Sequence, residues 1–290
     1  MSTQKTRVWF ITGASTGLGR SLAEAVLAKG DTVVATARKE ETVVDLEKKY
    51  PGKAKAVRLD VTDLAQVKAS VQAAVDAFGR IDVVVNNAGY GLVGTVEEVS
   101  DAQIRHQFET NLFGLLNVTR EVLPRLREQK SGHILNITSM GGQVSFPGFG
   151  MYHGTKYAVE GISESLAQEV AGLGIKVTIV EPGGFKTDFG TRSLVRGERI
   201  AAYQPVYDAL VQAFSGATFG DPARAAQGII KAVEADAPPL RLALGADALH
   251  GIRAKFEKEL EEYKRWEPVS VDTAYADPAE GVLDIKTLLG

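Results

Sequence analysis

The sequence predicts a single doubly wound α/β domain, in which helices cover both faces of a seven-stranded parallel sheet. Two observations predict it. Short apolar runs alternate with segments of helical periodicity from residue 8 to residue 244. The apolar runs are also continuous rather than alternating, which is typical of parallel strands that are buried on both faces. We therefore expect right-handed crossovers throughout the sheet.

Each predicted strand is a run of five or six mainly apolar or β-branched residues, the length usual for strands. The first run, VWFIT, leads directly into a glycine-rich turn. In chain order the predicted strands are Val8–Thr12, Thr32–Ala37, Lys55–Leu59, Ile81–Val85, His133–Thr138, Lys176–Val180 and Leu240–Leu244.

The predicted helices lie between these strands and carry apolar residues at helical spacing. Gly30 follows the first helix in the position where glycine commonly ends one. Asp63 precedes the third helix as an N-cap. In chain order the helices are Thr16–Lys29, Glu40–Tyr50, Asp63–Phe78, Asp101–Lys130, Tyr152–Leu173, Asp221–Ala235 and Ala248–Arg265.

No linker composition occurs before residue 265, so residues 1–265 are predicted to form one domain. Residues 266–290 are rich in Asp, Pro and Thr and are predicted to be a C-terminal tail. Residues 184–220 show no clear periodicity, and a long irregular segment in a compact domain is often a binding lid. Its aromatic side chains suggest an apolar, bulky substrate, although they could instead pack the lid onto the core. They are Phe185, Phe189, Tyr203, Tyr207, Phe214 and Phe219, together with Leu194.

The composition excludes several classes of site. The chain of 290 residues has no cysteine, which excludes disulfides, thiolate metal sites and a cysteine nucleophile. A net charge of −3 argues against a dedicated nucleic-acid binder. The apolar runs are too short to span a membrane and the N-terminus is polar, so a cytoplasmic protein is expected. The four histidines lack metal-ligand spacing, and no metal site is predicted.

The glycine-rich turn lies between the first strand and the first helix and has the spacing G-x-x-x-G-x-G. Glycines there let the backbone approach a pyrophosphate closely, and the N-terminus of the following helix favours its charge. A glycine-rich turn is often only a turn. Its place after the first strand favours a dinucleotide site. The turn comprises Thr12, Gly13, Ala14, Ser15, Thr16, Gly17, Leu18 and Gly19.

Further motifs follow at the ends of later strands. N-N-A-G begins at Asn86, Asn111 lies within the long helix, and Ser139 follows the fifth strand. Tyr152 and Lys156 form Y-x-x-x-K, and Pro182, Gly183 and Thr187 form P-G-x-x-x-T. With these motifs in order from residue 12 to residue 187, the chain resembles a classical short-chain dehydrogenase/reductase with a Rossmann-type fold. Residues 181–189 and the C-terminal extension are most similar to its 17β-hydroxysteroid-dehydrogenase-like and retinol-dehydrogenase-like branch.

The resemblance implies a Ser-Tyr-Lys-Asn site. Tyr152 would be the general acid in carbonyl reduction and the base in alcohol oxidation. Lys156 would hold the ribose hydroxyls and stabilise the phenolate of Tyr152. This stabilisation is needed because a free tyrosine has a pKa of about 10, too high for a base at neutral pH. Ser139 would bind the substrate oxygen, and Asn111 would lie in a helix distortion and connect Lys156, through water, to a proton relay.

The same resemblance implies a set of cofactor-binding residues. Three of its members have simpler interpretations as turn formers: the N-N-A-G segment, Asp60 and Thr187. The implied set is Gly13, Ser15, Thr16, Gly17, Leu18, Gly19, Arg38, Asp60, Val61, Asn87, Ala88, Gly89, Tyr152, Lys156, Pro182, Gly183 and Thr187.

The residue type after the second strand favours NADP(H) over NAD(H). NAD sites place a carboxylate there, whereas an arginine nearby accommodates the 2′-phosphate of NADP. In this chain Ala37 stands at the acidic position and Arg38 follows. Alternatively, Arg38 and Lys39 are solvated charges balanced by Glu40 and Glu41.

The sequence therefore predicts an NADP-preferring oxidoreductase that interconverts a ketone and an apolar secondary alcohol by hydride transfer. An NAD-dependent alcohol dehydrogenase of the same family is an alternative. A nucleotide-sugar epimerase or dehydratase is another, but its usual G-x-x-G-x-x-G is missing. A non-catalytic dinucleotide sensor or scaffold is the third. The resemblance also implies a homodimer or homotetramer, with no nucleic-acid or membrane partner.

Overall fold

The computed structural model describes residues 6–190, 192–216 and 218–273. The chain divides into two compact units, residues 1–252 and 253–290. The first unit contains the sheets and every candidate site residue. The described part of the second unit, residues 253–273, is helical to Val271.

Seven strands form one parallel sheet, which confirms the predicted fold class. Its order is β3-β2-β1-β4-β6-β7-β9. Between β1 and β4 the chain crosses to the other half of the sheet, and such a switch point is where open α/β sheets bind ligands, at the carboxyl ends of the strands. The bounds are β1 Val8–Ile11, β2 Thr32–Ala37, β3 Ala54–Arg58, β4 Val83–Asn86, β5 Gly91–Val93, β6 Gly132–Ile137, β7 Ile175–Pro182, β8 Leu194–Arg196 and β9 Arg241–Leu244.

Helices cover both faces of this sheet. Successive strand residues point to opposite faces, so Trp9 and Ile11 lie in one core while Phe10, between them, lies in the other. The first core is closed by α1 and α8, and the second by α3, α5 and α6. The helices are α1 Gly17–Lys29, α2 Val44–Lys49, α3 Leu64–Phe78, α4 Asp101–Phe108, α5 Gly114–Gln129, α6 Gly150–Ala171, α7 Gln204–Phe214, α8 Pro222–Glu234 and α9 Ala246–Val271.

The long predicted helix 101–130 is interrupted. A π-helical turn, Glu109–Phe113, separates α4 from α5. A π turn holds one residue more than an α turn, which changes the direction in which its side chains point. The predicted helix 40–50 also differs, because it begins as a 3₁₀ turn at Glu40–Thr42 before the short α2.

The predicted irregular segment 184–220 contains regular structure. Its residues form α7 and strand β8, and β8 pairs in parallel with β5 in a second, two-stranded sheet. Three-residue strands carry too few side chains to show a period, so neither strand was predicted. Positions 191 and 217 of this segment lie outside the described residues.

The C-terminal tail begins later than predicted. Helix α9 continues beyond residue 265 to Val271, with Pro268 inside it. Proline removes one helical hydrogen bond, but its φ is compatible with a helix, so it does not have to end one. The rest of the predicted tail, residues 274–290, lies outside the described residues. Within the described part of the chain, no helix is long and apolar enough to cross a membrane.

Candidate active site

The glycine-rich turn requires its glycines for two reasons. Gly13 and Gly17 have φ of 65° and 58°, a conformation that L side chains rarely adopt. A Cβ at Gly19 would lie 2.6 Å from the Gly13 carbonyl oxygen and would collide with the Asn87 amide. Thr16, at the N-cap of α1, makes no side-chain capping bond. The first N–H groups of α1 are therefore free to meet an anionic ligand.

The N-N-A-G segment fastens this turn to β4. Asn87 Nδ2 donates to the carbonyl oxygens of Thr12 and Gly13, at 2.9 and 3.0 Å. The backbone N–H groups of Asn87 and Ala88 both donate to Thr12 Oγ1. Asn86 points the other way into the core, where its Nδ2 binds Thr119 and Asn136. Asn87 to Gly89 thus line the switch point, while Asn86 joins the sheet to α5.

Asn111 lies in the π turn, and its side chain is buried. Its Oδ1 accepts the Tyr90 N–H at 3.0 Å, and its Nδ2 donates to the Tyr90 carbonyl oxygen at 2.9 Å. A Cβ at Gly89 would lie 3.0 Å from Asn111 Oδ1 and 3.9 Å from Lys156 Nζ. The helix distortion therefore brings Asn111 to the edge of the Tyr-Lys pair.

Tyr152 and Lys156 lie on one face of α6 and are both nearly inaccessible to solvent. Lys156 Nζ donates to the Ile137 carbonyl oxygen at 2.9 Å and lies 5.6 Å from the centre of the Tyr152 ring. Ser139 follows β6, and its Oγ accepts the Gly141 N–H at 3.0 Å. The end of β6 and one face of α6 thus bring Ser139, Tyr152 and Lys156 together.

Burial shifts the pKa of both titratable groups in this site. It raises the pKa of Tyr152 to about 12, and the Ser139 hydroxyl partly opposes that rise. It lowers the pKa of Lys156 to about 8, and the negative charge of Glu160 opposes that fall. At neutral pH Tyr152 is therefore a phenol with a proton to give, beside a lysine that is mainly charged.

The P-G-x-x-x-T segment lies across the switch point from the glycine-rich turn. The Gly183 N–H donates to the Leu244 carbonyl oxygen at 2.9 Å. A Cβ at Gly17 would lie 3.5 Å from Thr187 Cβ, so Thr187 covers the turn. The structure therefore brings Pro182, Gly183 and Thr187 to the same cleft as residues 13–19.

Arg38 and Asp60 follow β2 and β3 at the same edge of the sheet. Arg38 is exposed and pairs with no carboxylate of the described residues. It lies close enough to Tyr90 to oppose the burial that raises the pKa of that phenol. Asp60 Oδ1 accepts from the N–H and hydroxyl of Thr62, so this residue forms a local turn. Val61 is buried against Gly114.

Aromatic rings border the exposed side of Tyr152. The Phe189 ring centre lies 5.6 Å and the Phe149 ring centre 6.4 Å from that of Tyr152. Phe146 contacts Phe149 and, from the lid, Phe214. Leu194 of the lid lies against Gly91 of the body, and Tyr203 binds Glu97. Within the lid, Phe185 lies against Gly220 and Phe219 against Gly184, and Tyr207 is buried.

Two buried acids near this site were not predicted. Glu98 accepts the N–H groups of Thr95 and Ile200, at 2.8 and 2.9 Å, and the Tyr207 hydroxyl. No local pattern marks it, because Ile200 and Tyr207 are about a hundred residues away. Glu160 contacts Thr138 at the end of β6. Its spacing of four residues from Lys156 was a signal that could have been read from the sequence.

No group of three or more His, Asp or Glu side chains in the described ranges is arranged to hold a metal ion. His153 is buried and binds the Gly141 carbonyl oxygen through Nδ1 at 2.9 Å. Burial lowers the pKa of His153, which is consistent with a neutral structural histidine.

Comparison with known proteins agrees with this geometry. The model of the family described as short chain dehydrogenase matches residues 7–195. A relative named oxidoreductase BOA17, from Botryotinia fuckeliana, is 42% identical over 93% of this chain and 100% of its own. A crystal structure of a short-chain dehydrogenase from Streptomyces avermitilis has a TM-score of 0.88 and 44% identity, and covers 94% of this chain and 100% of its own. A Burkholderia cenocepacia short chain dehydrogenase in complex with NADP has a TM-score of 0.72 and 26% identity, over 90% and 97%.

Proposed function

Since the chain belongs to the short-chain dehydrogenase family and is an NAD(P)-dependent oxidoreductase, we propose that it interconverts a ketone and an apolar secondary alcohol and prefers NADP. One observation carries this proposal. Ser139, Tyr152, Lys156 and Asn111 converge where the strands end, beside the glycine-rich turn. The branch of the family, and assembly as a homodimer or homotetramer, stay predictions.

The proposed chemistry divides between the cofactor and four side chains. When bound, the nicotinamide ring supplies the hydride for reduction and accepts it for oxidation. Tyr152 donates the proton from Oη to the substrate oxygen in reduction and removes it in oxidation. Ser139 Oγ donates a hydrogen bond to that oxygen and stabilises the charge that develops on it.

Lys156 and Asn111 assist the transfer of the proton that Tyr152 donates. The Lys156 ammonium favours the phenolate that Tyr152 becomes after donation, because an opposite charge nearby stabilises the ionised form. A Cβ at Gly89 would lie 3.0 Å from Asn111 Oδ1 and 3.9 Å from Lys156 Nζ, so both side chains border Gly89. Asn111 would hold a water molecule that connects Lys156 to a proton relay.

The residues of the cleft fit a dinucleotide. Gly13, Gly17 and Gly19 cannot carry side chains without backbone strain or a collision, and the N-terminus of α1 opens onto the turn. Arg38 supports NADP, because its guanidinium is exposed, unpaired among the described residues and able to bind a 2′-phosphate bidentately. Similar solved structures hold either cofactor, NADP in the Burkholderia cenocepacia protein and NADH in a Brucella melitensis reductase, so the preference rests on Arg38.

An apolar substrate is supported by the rings around Tyr152. Phe149 and Phe189 flank its hydroxyl-bearing ring, and Phe146 and Phe214 extend the same surface. Aromatic walls with a few convergent polar groups are typical of sites for apolar ligands. We therefore propose a ketone whose carbonyl reaches Ser139 and Tyr152 while its hydrocarbon body lies on these rings.

The experiment that tests the cofactor is a fluorescence titration of NADPH and NADH with three proteins: wild type, Arg38→Asp and Lys39→Asp. Loss of a charge-assisted phosphate pair should weaken NADPH binding about 10- to 100-fold in Arg38→Asp and leave NADH binding unimpaired. Lys39→Asp is the matched control, since Lys39 is also an exposed cation beside the same strand. Lys39→Asp should lose much less NADPH affinity than Arg38→Asp.

Other outcomes would favour the alternative functions. Equal binding of both cofactors by the wild-type protein would contradict the NADP preference and favour an NAD-dependent alcohol dehydrogenase. Tight binding without reduction of any ketone in a panel of apolar carbonyl compounds would favour a dinucleotide sensor or scaffold.

A further inference from the structure

A pair of buried carboxyl groups lies directly behind the Tyr-Lys pair. Glu160 is one helical turn after Lys156 on α6, and Glu181 lies on β7. Their exposed fractions are only 4% and 2%. Acidic side chains are almost never this buried unless they have partners, so each contact of the pair is informative.

Glu160 has a partner for each of its oxygens. Thr138 Oγ1 donates to Oε1 at 2.6 Å, and Gln143 Nε2 donates to Oε2 at 3.0 Å. The same Gln143 nitrogen donates to Glu181 Oε1 at 3.1 Å, which brings the two carboxyl groups together. Arg241 Nε lies 3.3 Å from Glu160 Oε2 and 3.8 Å from Glu181 Oε1.

These contacts extend the packing of α6 against the end of β6. Ile137 and the two residues that follow it each contact one of three residues spaced four apart on α6. Ile137 accepts from Lys156, Thr138 donates to Glu160, and Ser139 lies beside Tyr152. Glu160 therefore holds Thr138, the residue next to Ser139, through a hydrogen bond.

The negative charge of Glu160 has a second effect, which is on the Lys156 ammonium. The Lys156 ammonium is buried. Among the described residues, it donates a hydrogen bond only to a neutral group, the Ile137 carbonyl oxygen. A buried cation is stabilised strongly by a nearby counter-charge. Several titratable or charged groups face this region: Tyr152 and Glu164 from α6, Glu181 from β7 and Arg241 from β9. Glu160 lies four residues after Lys156 on the same face of α6, and its negative charge opposes the fall in the pKa of Lys156.

We propose that Glu160 is a positioning residue for the reaction: its carboxylate keeps the Lys156 ammonium charged and holds the strand end that carries Ser139. The proposal rests on the proposed function for its consequence in turnover, but its electrostatic part concerns the protein alone. Glu164 offers a matched control. It lies one turn further along α6 and binds the same Arg241, at 2.8 Å, but its side chain is partly exposed.

The first test uses the protein without cofactor. Protein labelled with ¹³Cε-lysine is titrated by NMR, and the Lys156 resonance is assigned from Lys156→Arg. The ammonium should lose its proton near pH 8 in the wild type. Removing the neighbouring negative charge in Glu160→Gln should lower this midpoint by about one pH unit. Glu164→Gln should leave it nearly unchanged, and Glu160→Asp should restore most of it.

The wild-type titration keeps the proposal testable if Glu160→Gln does not fold. Burial raises the pKa of Glu160 to about 7. The Lys156 resonance should therefore respond to the ionisation of Glu160 near pH 7 as well as to its own. A Lys156 midpoint that is the same in wild type and Glu160→Gln, or a wild-type resonance with no response near pH 7, would overturn the proposal.

The second test measures turnover against pH. In ketone reduction with NADPH, Glu160→Gln should lose activity at a lower pH than wild type, by about the same interval as its Lys156 midpoint, while Glu164→Gln follows the wild type. A reduction that falls equally at every pH would indicate a structural role alone and contradict the proposal. An NMR shift in a wild-type protein that reduces no ketone would instead contradict only the proposed function.

Discussion

At the scale of single residues, the proposed reaction requires Tyr152 to exchange a proton from a buried position. Burial makes its phenolate costly and raises its pKa to about 12, so the free enzyme holds the proton firmly. This state suits a general acid. Donation needs a nearby positive charge to stabilise the phenolate, and Lys156 Nζ lies 5.6 Å from the ring.

Replacing Tyr152 with Phe should remove the proton donor and little else. We expect ketone reduction to fall at least about 100-fold, since general acid catalysis commonly contributes that much or more. NADPH affinity and the melting temperature should stay near those of the wild type. The measurement is steady-state turnover beside fluorescence titration of NADPH.

Tyr157→Phe is the matched control on the same helix, because Tyr157 lies five residues after Tyr152 and therefore on another face, where its hydroxyl donates to the Gln143 carbonyl oxygen at 2.6 Å. It should keep most of its activity. Comparable activity of Tyr152→Phe and wild type would show that Tyr152 is not the acid.

At the scale of elements, one buried carboxylate joins two parts of the lid to the body. Glu98 precedes α4 and accepts hydrogen bonds from Ile200 and Tyr207, which lie in the lid. These bonds and that of the Thr95 N–H hold the pKa of Glu98 at about 2, despite burial. It is therefore ionised at every pH of practical interest, and the attachment should not depend on pH above about 5.

Glu98→Ala should loosen the lid without unfolding the sheet. Hydrogen exchange of the backbone amides at residues 197–207 should become at least about tenfold faster, because three hydrogen bonds to a charged group are lost. The KM for ketone should rise while NADPH affinity stays unchanged. Hydrogen exchange followed by mass spectrometry measures the first effect.

Glu97→Ala is the control for this change, since Glu97 is exposed and binds the lid through a single bond to Tyr203. Its exchange should differ little from the wild type. Unchanged protection in Glu98→Ala would mean that the β5–β8 pairing and the other lid contacts hold the lid without Glu98.

At the scale of the whole molecule, buried titratable groups make stability depend on pH. Burial lowers the pKa of His133 to about 4, while the unfolded chain retains about 6.5. As the pH falls from 6.5 to 4, the unfolded state binds a proton that the folded state does not, so stability is lost in that interval. Glu160 acts oppositely: its raised pKa of about 7 gives stability below about pH 4.5 that is lost by pH 7.

His133→Gln should remove the acid-sensitive contribution of His133, which is about 3 kcal/mol at most. Urea unfolding at pH 7 and pH 5 would measure it. The wild type should lose more stability between these values than the variant, whose amide can still bind the Thr178 hydroxyl in place of Nε2. Equal losses in both proteins would show that His133 does not titrate as burial requires.

The sequence alone determined the sheet and the glycine-rich turn, and its resemblance to a family marked Ser139, Tyr152, Lys156 and Asn111. The sheet and the turn follow from local rules, because apolar runs define strands and glycines permit a tight turn between a strand and a helix, and helical spacing places Tyr152 and Lys156 on one face. Tertiary structure alone decided the π turn that directs Asn111 to Tyr90, the pairing of β5 with β8, the attachment of Glu98 to the lid and the match of Glu160 with Thr138 and Arg241. Each of these contacts joins residues 20 to about 110 positions apart, and their energy exists only after the sheet has brought the partners together.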